Sequence, residues 1–295
     1  MPSEPWKVSL HGGHSGEFCE HATSTLREVL EAAVAYGYQT FGVSEHAPRS
    51  EDRFLYTSER EKGYSVERLR REFEAYAGAM DALVQEFDGR LVVLRGFEAE
   101  VIPTSSYAQE MLGWQERFGF DYMVGSVHYV DEVQIDGEKA DFEAAVGHSG
   151  GLEPFVVRYY DTVAGMVETL QPDVVGHLDL IRRNAPSDAV LDTPAIRGAA
   201  ERALSVIRER DAILDLNTAG YRKGLGSPYP APWLVRRANE MGVGFCFGDD
   251  SHGPAQVGEG LEQGRRYLLE NGVTEIAAIT RGPEGLVRKR IPLSD

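Results

Sequence analysis

Seven short apolar runs recur along this 295-residue chain, and the stretches between them carry the spacing of amphipathic helices. The runs fall at 8–10, 40–43, 91–94, 122–127, 174–175, 212–216 and 243–247. The helical stretches are 24–37, with Ser24 or Thr25 as N-cap and Gly37 at its end, then 65–87, 112–118, 154–170, 193–211, 232–242 and 255–272. Apolar strands alternating with helices imply a parallel sheet covered by helices. At this length the sheet is expected to close into an α/β barrel rather than stay open, as a single domain over residues 1–295. Segments 47–63, 131–150 and 218–230 read as long rim loops, and 275–293 as a terminal strand or hairpin.

The eight histidines fall on this map unevenly. His11 and His14 end the first strand and His21 follows in its loop. His46 ends the second strand, His128 the fourth and His177 the fifth, while His252 follows the seventh. Only His148 lies elsewhere. In a parallel barrel the C-terminal strand ends converge on one face, where active sites sit. Glu98 and Glu100 end the third strand there, and Asp249 and Asp250 the seventh. One strand-end histidine is usually a hydrogen-bonded structural residue; seven at one rim point to metal. Imidazole and carboxylate suit Zn, Mn or Fe. A catalytic ion with an open position takes about three protein ligands, so this surplus implies two or three ions. Clustered ions suit phosphate-ester hydrolysis, since they supply a nucleophile at neutral pH and neutralise the charge of the phosphate.

With 30 Lys and Arg against 47 Asp and Glu, the net charge is −17. That balance argues against nucleic-acid or anionic-membrane partners, which must be met with cations. A small phosphorylated substrate stays compatible, because bound metal ions create a local cationic site. The chain has no apolar run long enough to span a bilayer, and its start, "MPSEPWKVSL", lacks the pattern of a signal peptide. Cys19 and Cys246 make no disulfide framework, so the expected compartment is the cytoplasm.

In order, "LHGGHSGEFCEHA", "VSEHAP", "GFEAE", "GSVHY", "GHLDL", "DLNTAG" and "GDDSH" resemble the motifs of the PHP superfamily, above all its histidinol-phosphate phosphatase branch. The resemblance spans nearly the whole chain. It implies a distorted (β/α)7 TIM-like barrel with three metal ions. Carried over position by position, it places His11, His14, Glu98 and Asp250 on the first ion and has Glu98 bridge to the second, which also takes His128 and His177. It places His21, His46 and His252 on the third. The implied reaction is hydrolysis of L-histidinol phosphate to L-histidinol and phosphate by in-line attack of a metal-bridging hydroxide. Another small phosphate ester or a short oligonucleotide is the alternative substrate, and a non-catalytic metal-binding barrel the alternative class.

The chain departs from the family opening, His-x-His, because His11 and His14 are three apart and His21 is seven beyond. A one-residue insertion explains both spacings, and Gly12–Gly13 would absorb the distortion. Should His14 fail as a ligand, Glu17 or Cys19 could reach inward, although a buried loop thiol is the plainer reading of Cys19. Asp250 or His252 could protonate the leaving group. Arg182 or Arg183, and Arg222 and Lys223, are candidates for the phosphate, and Asn217 for substrate. Glu45 and Asp179 could each orient an imidazole.

Overall fold

The strands of the computed structural model, which describes residues 4–294, close on themselves in chain order. They are β1 (Val8–Ser9), β2 (Thr40–His46), β3 (Val92–Ala99), β4 (Tyr122–Gly125), β5 (Val174–Val175), β6 (Ile213–Asn217) and β7 (Phe245–Gly248), and every neighbouring pair is parallel. The seam is thin, with Ser9 opposite Phe247 as the only registered pair between β1 and β7. Two strands of only two residues make the barrel the distorted seven-stranded form expected from the sequence.

A small apolar cluster fills the barrel beneath the rim: Val8, Leu10, Leu94, Tyr122, Val124, Val174, Ile213 and Cys246. Tyr122 is the main filler. A Cβ at Gly42 would lie 2.3 Å from its Oη and one at Gly96 2.3 Å from its Cε1, so two neighbouring strands need glycine there. The helices pack outside on a much larger core. Helix Leu26–Tyr36 starts from the expected N-cap, Thr25, in a capping box with Glu28, and stops at Gly37 with φ +93°.

Residues 275–293 form the hairpin Glu275–Gly282 with Gly285–Pro292. It lies across the N-terminal mouth: Ala278 and Ile279 join the inner cluster, and Arg288 pairs with Asp173 and Asp211, just ahead of β5 and β6.

Four expectations need correction. Segment 131–150 is not a plain loop: it holds one strand of the hairpin Tyr129–Val130 with Val133–Gln134, then the helix Lys139–His148. Asp131 and Glu132 adopt positive φ at the turn in place of the usual Asn-Gly, and the helix has no side-chain cap and buries only Phe142 and Ala145, so neither leaves a clear signal. The segment at 47–63 likewise contains the short helix Thr57–Glu61, and the one at 218–230 the turn Ala219–Arg222. The last helix starts at Leu261 rather than 255, because Gly258 and Gly260 take φ of +75° and +76°.

Candidate metal centre

At the C-terminal rim the strand ends bring seven imidazoles around Glu98. One carboxylate oxygen, Oε1, lies 3.3 Å from His11 Nε2, 3.3 Å from His177 Nε2 and 3.6 Å from His128 Nε2. The other, Oε2, lies 2.8 Å from His46 Nδ1. His14 is stacked between His46 and His252, with ring centroids 4.3 Å from each, and its Nε2 is 3.6 Å from Asp250 Oδ1. Five overlapping groups of candidate donors result: His11, His14 and Glu98; Glu98, His128 and His177; His21, His46, His252 and Cys19; and two that share Asp250, one with His11 and His177, the other with His14 and His252.

These contacts are close without being hydrogen bonds. His11 Nε2, both nitrogens of His14, His46 Nε2, His177 Nδ1, His252 Nε2 and both Glu98 oxygens are buried and have no hydrogen-bond partner. Each such atom costs about 1–3 kcal/mol unless something satisfies it. A concentration of lone pairs facing one another fits divalent cations between them. Three other ring nitrogens are committed: His11 Nδ1 is 2.7 Å from Asp215 Oδ2, His128 Nδ1 is 2.7 Å from Glu100 Oε2, and His252 Nδ1 is 2.9 Å from the Asp250 carbonyl. Carboxylates so placed fix the tautomer and turn the opposite nitrogen toward a cation.

Electrostatics divide the cluster. Burial alone would raise the Glu98 pKa, yet His11, His46 and His128 hold it well below the carboxylate range. Burial is likewise overcome at Asp250, chiefly by His14. Burial would lower His14 and His128, but Asp250 and Glu45 lift the former to about 9, and Glu100 and Glu98 the latter to about 10. His21, His46 and His252 are instead lowered, by burial and by neighbouring imidazoles.

The opening stretch is built around two glycines. Gly12 and Gly13 have φ of +150° and +80°. A Cβ on Gly12 would lie 2.4 Å from Asp249 Oδ1 and 3.2 Å from two backbone nitrogens. The bulge is pinned to both neighbours: the Ser44 amide donates to the Gly12 carbonyl, and the His14 amide to the Ser251 carbonyl, at 2.9 Å each. It places both imidazoles, fully buried, on the cluster side. Glu17 instead caps a helix, accepting from the Leu26 amide at 2.7 Å.

Comparison with known proteins agrees with this geometry. Residues 11–219 match the PHP domain. The chain belongs to the PHP domain family. A Schizosaccharomyces pombe protein named "Probable histidinol-phosphatase" is 32% identical over 282 residues, spanning 94% of this chain and 91% of its own. The Saccharomyces cerevisiae histidinol-phosphatase is 28% identical, with 96% of each chain covered. The histidinol phosphate phosphatase of Lactococcus lactis, solved with zinc, L-histidinol and phosphate, shares the fold, with a TM-score of 0.68 at 18% identity over 93% of this chain and 97% of that one.

Above the cluster this PHP domain has a cavity of about 570 Å³, lined by His21, His46, Glu98, His128, His177, Asp250 and His252. Arg183, Arg222, Lys223 and Asp136 also line it. Two substrate candidates do not. Arg182 is 4% exposed, and its donors are spent on Asp188, Ser227 and the Pro228 carbonyl, with Asp179 3.6 Å away. Asn217 is fully buried; its amide donates to Asp215 at 3.0 Å and Asp250 at 3.4 Å, so it braces those carboxylates from behind. Asp179 meets no imidazole; it accepts from the Ala231 amide and faces Arg182. Glu45 does face one, with Oε2 3.4 Å from His14 Nδ1. His148 ends an exposed helix away from the site.

Asp215, which holds His11 Nδ1, is a candidate site residue that the sequence reading leaves out, and Glu100 stands in it only as a strand-end carboxylate. A signal for Asp215 exists: an ionisable side chain inside the apolar strand "ILDLN", two residues before Asn217 and thus on the same face. Arg182→Ala separates structure from binding. It is expected to cost about 3–5 kcal/mol by leaving Asp179 buried and unpaired, read by urea unfolding, with KM unchanged for the folded fraction. Arg183→Ala is expected to raise KM with little loss of stability.

Proposed function

We propose that this protein is a metal-dependent phosphomonoesterase that hydrolyses L-histidinol phosphate to L-histidinol and phosphate. Seven imidazoles and two carboxylates gathered at one end of the barrel, five of the imidazoles and both carboxylates lining the cavity, carry this reading, and the names of the relatives support its substrate. Two or three ions would be held: one by His11, His14, Glu98 and Asp250, one by Glu98, His128 and His177, and one by His21, His46 and His252. Zn, Mn or Fe suits these donors. When bound, such ions supply Lewis acidity and a nucleophilic water.

The chain supplies position and charge. Arg183, Arg222 and Lys223 on the cavity wall meet the phosphate dianion. Arg222 is already anchored, its Nη2 donating to the Asp249 and Asp250 carbonyls at 2.8 Å. Asp136 gives the same cavity one anionic wall for the substrate's ammonium. Asp215 and Glu100 hold His11 and His128 in register. As proton donors, Asp250 and His252 are poorly placed: Asp250 is held ionised, and His252 is held neutral with its Nδ1 turned to a carbonyl.

Phosphate release from histidinol phosphate, set beside a panel of other small esters and oligonucleotides, tests the reading. Activity is expected to prefer histidinol phosphate, to vanish with a chelator and to return with added Zn or Mn. Metal-loaded protein inert on histidinol phosphate but active on another ester would overturn the substrate; inertness on all would overturn the enzyme.

A further inference from the structure

We propose that Cys19 is a metal ligand, completing with His21, His46 and His252 a four-coordinate, zinc-selective site of one thiolate and three imidazoles. The inference rests on the metal-centre reading above and adds to it a donor that differs in kind from all the others.

Cys19 Sγ lies 3.4 Å from His21 Nδ1 and 3.6 Å from its Nε2. Zn–S of about 2.3 Å and Zn–N of about 2.0–2.1 Å set a sulfur–nitrogen edge of about 3.6 Å in a tetrahedral site. The donor atoms of all four residues lie within 4.8 Å of one another. His46 turns Nδ1 toward Glu98 and His252 turns Nδ1 toward the Asp250 carbonyl, which leaves a buried, unpartnered Nε2 on each.

The loop is built to hold the thiol there. The Cys19 amide donates to the Ser15 carbonyl at 2.8 Å, and the Ala22 amide to the Cys19 carbonyl at 3.2 Å. Ser15 is fixed in turn by Glu45, which accepts from its amide at 2.8 Å. This coil brings residues 19 and 21 to one side. Cys19 is 7% exposed and does not line the large cavity, so its sulfur is withdrawn from solvent while the imidazoles of His21, His46 and His252 face the cavity.

Charge gives the reason for a thiolate. Each of the donor sets proposed for the other two ions contains Glu98; the group of Cys19, His21, His46 and His252 has no carboxylate among its four donors, Asp250 being grouped with His252 and His14 instead. Three neutral imidazoles leave a dication uncompensated, and a coordinating thiol is deprotonated outright by the ion it binds. Soft sulfur also selects among metals, favouring zinc over manganese.

Cobalt substitution tests this without recourse to activity. Protein stripped by chelation and reloaded with Co2+ is expected to show a thiolate-to-cobalt charge-transfer band beside its visible ligand-field bands. Cys19→Ser is expected to lose the charge-transfer band and to retain roughly one zinc fewer per chain, while Cys246→Ser, altered at the fully buried second cysteine, keeps both. In the unaltered protein, zinc is expected to protect Cys19 from alkylation, read by mass spectrometry, and this holds the proposal to account even should Cys19→Ser fail to fold. Ligand-field bands without charge transfer, or charge transfer surviving in Cys19→Ser, would overturn the Cys19 assignment alone. Absence of any cobalt binding would overturn the metal centre together with it.

Discussion

Glu98→Gln is expected to strip ions from two donor sets at once and to lower phosphate release by more than about a hundredfold. Glu98 is 2% exposed, and three imidazoles that follow three different strands face one of its oxygens while a fourth faces the other. Gln keeps the shape but replaces an anionic oxygen with an amide NH2, whose hydrogens point where a cation has to sit. Losing an outer carboxylate that orients a ligand typically costs 10–100-fold. A carboxylate shared by two ions has to cost more. Glu100→Gln is the internal comparison: the one imidazole it meets is His128, at Nδ1, while its other oxygen accepts from the Val101 and His128 amides, so it should stay within that outer range. Elemental analysis of both variants, purified without chelator, reads the difference. Full metal content in Glu98→Gln would remove the bridging role.

His14→Ala is expected to come second in size, with activity down by more than about tenfold and less metal per chain, whereas His148→Ala is nearly silent. His14 is fully buried between two imidazoles and within 3.6 Å of Asp250, so truncation removes a donor and strands buried charge on Asp250 and Glu45. His148 is exposed at a helix end, where substitutions usually change stability by no more than about 0.5 kcal/mol. Initial rates and metal content measured side by side decide the matter. Near-normal values for His14→Ala would take it out of the ligand set.

What could be read without coordinates follows from what is local. Strand identity and strand-end position are set by hydrophobic pattern and turn residues, so seven histidines could be placed on one rim from spacing alone. Asp215 could not be assigned its partner, because the bond to His11 joins residues far apart along the chain. Arg182 and Arg183 are adjacent and chemically alike; which of them faces the cavity depends on the Leu180–Arg183 turn and on Asp188 reaching back, and neither leaves a mark in periodicity. The turn at Asp131 and Glu132 escaped because it uses residues that seldom take positive φ.

The thin seam between β1 and β7 gives the metal centre a second meaning. One registered pair and a few loop bonds join the first strand to the last, yet His11 and His14 leave one side of that join while Asp250 and His252 leave the other. Cations gripping all four act as a clasp on a ring, tying together segments nearly a whole chain apart, much as a cross-link over a long loop does. The set of Glu98, His128 and His177 comes from three consecutive strands, but the set that joins His11 and His14 to Asp250 exists only when the first and last strands meet. On the function proposed above, closing the ring and assembling that donor set are a single event.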